Sequence, residues 1–254
     1  MPKPERVIRV EAVVLRHADW GEADRLLTLF TREQGKLRAI AKGARKMRSR
    51  KAGHLEPFTH VSLMLAAGRD MWIVTQAEAL NVFQPLRDDL MRMGLAAYVI
   101  ELLDRFTYEE GALPGLFKLL VDTLGRLTGE IDPFYTLRYY ELRLLELVGY
   151  RPELFYCVQC QSEIKPQEQF FSVQLGGAVC PNCGPSVPGS RAISMPALKY
   201  LRHFQRSQFE DCLRAQIEDR YRNEMESILH LYVTGFLERG LNTPSFIRSV
   251  QNQA

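Results

Sequence analysis

Four cysteines, Cys157, Cys160, Cys180 and Cys183, stand in the order C-x2-C-x19-C-x2-C. No other feature narrows so sharply what this chain can fold into. A C-x2-C turn can set two sulfurs on one side of a tetrahedron about 2.3 Å from a metal ion, and a second such turn closes it. Gly176 and Gly177 precede the second pair and Gly184 follows it, giving the tight backbone that such a knuckle requires. The reading is a structural Zn2+, one per chain, ahead of a redox pair or chance spacing. Four thiolates leave no coordination position for water, so the site is not expected to be catalytic. A module of about 30 residues builds little core of its own, and metal binding worth on the order of 10 kcal/mol would supply its folding energy. The fifth cysteine, Cys212, lacks a partner and reads as a small buried or half-buried side chain.

Cysteines used in this way suit a reducing compartment, and a cytoplasmic location is expected. Of the 254 residues, 46% are hydrophobic and 25% charged, the balance of folded domains rather than of disorder. The length points to two or three domains. No window approaches the roughly 18 uninterrupted apolar residues of a membrane span, and the start MPKPERVIRV lacks the apolar stretch of a signal peptide. Neither a membrane nor a small-molecule substrate is an expected partner.

Residues 6–83 alternate with period two in RVIRVEAVVLR, DRLLTLFT, KLRAIAK, FTHVSLML and MWIVTQAEAL, separated by turn-like DWGEA, REQG and AAGRD. Five short strands in about 80 residues suit a closed barrel of OB type, because closure removes exposed sheet edges. After Pro85 the apolar spacing changes to three and four. In DDLMRMGLAAYVIELLDRF, Leu90, Met93, Ala97 and Ile100 share a helical stripe that Val99, Leu102 and Leu103 widen. LFKLLVDTLGRL and PFYTLRYYELRLLELVGY behave alike. Ser194 can cap a further helix with Pro196 in its first turn, and Met225, Ile228, Leu229, Tyr232 and Phe236 mark another. The expected class is α+β: an OB barrel over 1–84, a helical bundle over 85–152, a four-cysteine zinc module over 153–190, and C-terminal helices over 191–254 that pack with the helical domain.

Charge is distributed unevenly. Residues 1–85 carry 15 basic and 9 acidic side chains, whereas 86–150 carry 7 and 11. In KLRAIAK, a strand puts Lys36, Arg38, Ile40 and Lys42 on one face and Leu37, Ala39 and Ala41 on the other. AKGARKMRSRK then continues the positive run with Arg45, Lys46, Arg48, Arg50 and Lys51, and Gly43 and Gly53 let it bend. These eight cations are the candidate phosphate-binding residues. If about six of them engaged a single strand, binding would fall with a slope near −4 in log salt. A solvated loop is the plainer reading, and the adjoining cationic strand on an OB barrel weighs against it. Trp20, in the first hairpin, stands between base stacking and packing, whereas Trp72 reads as packed. The histidines show no ligand spacing.

WGEADRLLTLFTREQGKLRAIAKGARK, LEPF at 55–58, AYVIELL at 97–103, YELRLLELVGYRPEL and FFSVQLGGAVCPNCG occur in this order and resemble the bacterial DNA repair family RecO. The resemblance covers most of the chain. It implies an N-terminal OB-fold, a helical domain and an embedded zinc module, in a member that has kept all four cysteines. It further implies a recombination mediator of the RecF pathway that is not itself an enzyme. Such a protein binds single- and double-stranded DNA and anneals complementary strands. It contacts the acidic C-terminal tail of the single-stranded-DNA-binding protein, acts with RecR to help load RecA, and joins the nucleoid when bound to DNA.

Two other classes compete. A metal-dependent nuclease needs several converging carboxylates, and neither Glu22 with Asp24 nor Asp88 with Asp89 supplies them. The first pair reads as hairpin solvation and the second as matching a helix dipole. No phosphate loop, H-E-x-x-H or nucleophile elbow occurs. An RNA-binding OB and zinc protein of translation would have a similar composition.

Overall fold

The structure is a computed structural model that describes residues 6–49, 51–109, 111–237 and 240–251. The chain forms two compact units, which divide at Glu130 and again at Thr243.

The first unit opens with the barrel. Strands β1 (Val7–Trp20), β2 (Asp24–Thr31), β3 (Gly35–Ala41), β4 (His60–Ala67) and β5 (Trp72–Asn81) close in the order β1-β2-β3-β5-β4. That is the five-stranded OB-fold expected from the alternating sequence. β1 is long enough to serve two neighbours. Val7 to Val13 pair with β4, and Ala12 to Trp20 pair with β2 across a register shift between Val14 and Arg16. A short parallel pairing of Ala39 and Ile40 with Trp72 and Ile73 joins β3 to β5. Val14, Leu27, Leu29, Leu37, Leu63 and Leu65 fill the interior, with Trp72 packed against its edge.

Helices α1 (Pro85–Asp88), α2 (Leu90–Phe106) and α3 (Pro114–Leu127) follow in the same unit. Asp89 caps α2 by accepting from the Arg92 amide, and Asp88 accepts from Gln84 at the end of α1. Of the expected face of α2, Val99, Ile100, Leu102 and Leu103 are buried and Met93 and Ala97 half-buried, whereas Leu90 at the start of the helix is exposed and Leu95 and Ala96 are buried in addition. Two helix faces need cover because α2 packs against α3 on one side and a last helix on the other. That helix, in the order of the chain the final one (Thr243–Gln251), starts where Glu101 accepts from the Thr243 amide and hydroxyl at 2.9 and 2.6 Å. Gly94 admits it, since a Cβ there would lie 3.1 Å from the Phe246 ring.

The second unit is built around α4 (Pro133–Leu147), on which α5 (Met195–Arg206), α6 (Phe209–Cys212) and α7 (Asp219–Gly235) pack. The final helix is therefore α8. Ser194 caps α5 through the Ala197 amide, with Pro196 in the first turn, as the sequence pattern indicated. Met225, Ile228, Leu229 and Tyr232 are the buried stripe of α7. A small antiparallel sheet, β6 (Gln169–Ser172) between β7 (Gly177–Val179) and β8 (Arg191–Ile193), carries the cysteine module. Tyr232 ties module to helix by meeting the Phe171 ring edge-on and donating to the Tyr150 carbonyl. The boundary at Glu130 runs through the stretch 85–152, so α2 and α3 lie with the barrel and α4 with the module.

Arg138 and Glu141 form an ion pair at 2.8 Å inside the second unit, with side chains only 5% and 1% exposed. Arg138 also reaches the exposed Glu226 at 3.5 Å. Deleting one buried member of the pair costs the other its charged hydrogen bond, while replacing both with apolar groups does not. Arg138→Met should therefore cost about 3–5 kcal/mol in urea unfolding, and adding Glu141→Leu should recover most of that loss.

Candidate nucleic-acid interface and metal centre

The outer face of β3 is built as the alternation demands. Leu37, Ala39 and Ala41 are buried in the barrel, and Lys36, Arg38 and Ile40 point away from it. β3 ends at Ala41, so Lys42, expected on the same strand face, stands exposed in the turn that follows. The cations on that face differ in what they touch. Lys36 is only 12% exposed and donates to both the carboxylate and the carbonyl of Asp104 on α2, at 2.9 and 2.8 Å. Arg16 reaches the same carboxylate at 3.6 Å. Arg38 pairs with Glu109 at 2.8 Å in a setting half open to water. Lys51 donates to the Val74 carbonyl at 3.1 Å.

The loop after β3 is a series of turns with its own anchors. Gly43 adopts φ +65°, and its amide donates to the Asp24 carboxylate at 2.8 Å. Ala44 sinks into the barrel core and the Arg45 amide donates to the Ala23 carbonyl. The Arg45 guanidinium pairs with Asp19 at 3.1 Å and reaches the Gly21 and Glu22 carbonyls, which joins this loop to the β1–β2 turn. Lys42, Lys46 and Arg48 are exposed and hold no ion pair among the described residues. Met47 stands fully exposed between two of them, and Trp20, the last residue of β1, is 47% exposed. Arg50 lies outside the described residues. Leu55 returns the chain to the core after a 3₁₀ turn over Ala52–Leu55.

Beside the loop, Glu56 accepts from Arg25 at 2.7 Å and lies 3.2 Å from His17. Burial pushes this carboxyl up, but the hydrogen bonds from Arg25 and His17 outweigh it and hold the group below its ordinary range. Glu22 and Asp24 do not converge as metal ligands, because Asp24 is committed to the Gly43 amide.

In the second unit the four cysteine sulfurs lie within 4.8 Å of one another and could hold a metal ion. Cys160 and Cys180 are 3.7 Å apart, and the Cys180 amide points at the Cys157 sulfur at 3.3 Å. The glycines have separate tasks. Gly176 turns at φ +83°, a Cβ at Gly177 would collide with the Glu153 carbonyl, and one at Gly184 would collide with the Phe170 ring. The Ser162 hydroxyl bond lowers the Cys160 thiol to about 6. Its neighbours Cys180 and Cys160 push Cys183 up to about 12, since a thiol that donates to sulfur is hard to ionise. Cys212 is buried away from this cluster, and burial pushes it up to about 11.

Residues 6–83 match the family described as Recombination protein O N terminal, and residues 87–244 match Recombination protein O C terminal. The chain belongs to the RecO family. A DNA repair protein RecO of Roseiflexus sp. (strain RS-1) is 42% identical over 97% of this chain and 87% of its own length. Relatives with the same name from Pelotomaculum thermopropionicum and Dehalococcoides mccartyi are 36% and 34% identical, each over 94% of its own length and 95% and 94% of this chain. The two RecO family segments meet where the barrel ends, and the second of them spans both compact units.

Sequence reasoning missed Asp104, Glu109 and Asp19, and read Asp24 as hairpin solvation where it holds the Gly43 amide; these carboxylates organise the cations of this RecO family barrel. The acidic excess over residues 86–150 was a signal for the first two. At the cysteine cluster, cobalt(II) added to reduced, metal-free protein should give the strong thiolate-to-metal charge-transfer absorption of a four-sulfur site. Cys183→Ser should weaken that band and lower the affinity, as read by competition with a chelator.

Proposed function

We propose that this RecO family protein is a DNA repair mediator of the RecF pathway that captures DNA backbone on the rim of its barrel. It binds single- and double-stranded DNA and anneals complementary strands without enzymatic chemistry of its own. RecR and the acidic C-terminal tail of the single-stranded-DNA-binding protein are its partners in helping RecA onto coated DNA. It acts in the cytoplasm, at the nucleoid when DNA is bound. Among the described residues no helix is long and apolar enough to cross a membrane.

The observation that carries this reading is the rim itself. Lys42, Lys46 and Arg48 are exposed and free of carboxylate partners among the described residues, on a loop that Arg45 ties to the β1–β2 turn, and Trp20 just before that turn is half exposed. Cations in that condition can release counterions from phosphate at no cost to the fold, and Trp20 offers a π-face to an unstacked base. Lys36 and Lys51, by contrast, are engaged in holding the barrel to its surroundings. Screening of two phosphate backbones by one cationic rim favours their annealing.

The cysteine cluster is the module's Zn2+ site in this proposal. Sulfurs about 2.3 Å from zinc in a tetrahedron are about 3.8 Å apart, and the Cys160 to Cys180 separation is 3.7 Å. An all-thiolate donor set favours zinc over the harder divalent cations. The ion's role is to hold two strands and two turns together where little apolar core exists.

The test is salt-dependent binding. Replacing Lys42, Lys46 and Arg48 with Glu should weaken single-stranded DNA binding and flatten the log–log salt slope by about 2, at roughly 0.7 per cation. Thermal melting and zinc content should be unchanged. Unaltered affinity would sink the assignment, and tighter binding to RNA than to DNA of the same sequence would redirect it. In a Trp72→Phe background, quenching of the remaining tryptophan on DNA binding would report stacking by Trp20.

A further inference from the structure

β3 and the turn that follows it carry cations in three conditions. Lys36 is sequestered: it is 12% exposed and has two oxygen acceptors on one residue. Lys42 is exposed and unpaired among the described residues. Arg38 comes between them along the chain, on the outer face of β3, 55% exposed, with Glu109 as its partner at 2.8 Å and Glu109 itself 50% exposed. Such a pair is weak because water competes for both members and salt screens them.

We propose that Arg38 is a phosphate-binding residue held in reserve by Glu109, which occupies its guanidinium until a nucleic-acid backbone displaces the carboxylate. This rests on the barrel-rim reading above and deepens it by naming a residue that sets how tightly and with what salt dependence the rim binds.

Three observations support the exchange. First, Arg38 stands on the outer face of β3 two positions after Lys36, and β3 gives way after Ala41 to the turn that carries exposed Lys42, so Arg38 comes between the sequestered and the free cations along the chain. Second, the carboxylate comes from outside the rigid element: α2 ends at Phe106, Thr107 caps it in extended conformation, and Glu109 follows in a bend. Asp104, inside the helix, cannot be withdrawn so easily from Lys36. Third, Glu109 meets Arg38 through one Nε to Oε1 contact, whereas the two free oxygens of a phosphodiester can accept two parallel N–H bonds from a guanidinium, so the phosphate is a competent replacement for the carboxylate. Exchange of one anion for another also explains why such a contact contributes little to the salt slope. Arg38 releases counterions from DNA only to the extent that Glu109 is not already bound to it.

The experiment is a double-mutant cycle on single-stranded DNA affinity, measured across salt concentrations with the full-length protein. Glu109→Gln should tighten binding roughly two- to fivefold, the range of an exposed ion pair, and steepen the slope by up to about 0.7. Arg38→Gln alone should change affinity little. Combined with Glu109→Gln, it should abolish the gain. Glu78→Gln, the same charge change on the exposed side of β5, measures the effect of net charge alone. A gain that survives Arg38→Gln, a gain matched by Glu78→Gln, or no gain at all would overturn the proposal. Failure of the rim reading is separately visible, because the Lys42, Lys46 and Arg48 variant would then bind as the native protein does whatever Glu109 contributes.

Discussion

The cationic rim stands on two small apolar anchors. Ala44 and Leu55, 1% and 0% exposed, enter the same barrel core from the two ends of the basic loop. Burial of their side chains fixes where the loop leaves the barrel and where it returns. Between them, backbone hydrogen bonds such as Lys46 to Gly43 and Ser49 to Lys46 make successive turns. A loop of like charges would otherwise expand by self-repulsion. The apolar anchors and the Asp24 and Asp19 carboxylates oppose that tendency from below.

The same economy governs the rest of the first unit. Acidic groups from α2 and the segment after it neutralise the cations nearest the helix, where positive charge would lie partly out of water. The cations farthest from the helix are left to solvent. Asp104 alone meets Lys36 and Arg16, so one carboxylate couples the outer surface of two strands to a helix. In the second unit, structural ionic contact takes a different form. The Arg138–Glu141 pair lies within a single helix and is shut away from water, with Glu226 approaching from the surface at 3.5 Å.

Local pattern made much of this legible. Period-two alternation located every barrel strand, and the Ser194–Met195–Pro196 start located α5 to the residue. The four cysteines announced their cluster by spacing alone. What the sequence concealed was pairing over distance. Lys36 and Asp104 are 68 positions apart, and no local rule connects them. The burial of Gly94 on α2 has the same origin, because α8 docks there from the far end of the chain. Composition indicated that 86–150 is acidic, but only the fold assigns that acidity to particular bases.

Lys46, Met47 and Arg48 form the tip of the loop, and their side chains are committed to no ion pair or core contact among the described residues. Side chains at such a place can change without a stability penalty, since surface substitutions away from structural contacts are usually close to neutral. Selection can therefore adjust the tip one residue at a time while the barrel stays constant. Related proteins that meet different ionic strengths inside their cells could retune this segment first, leaving Ala44, Asp24 and Leu55 untouched beneath it.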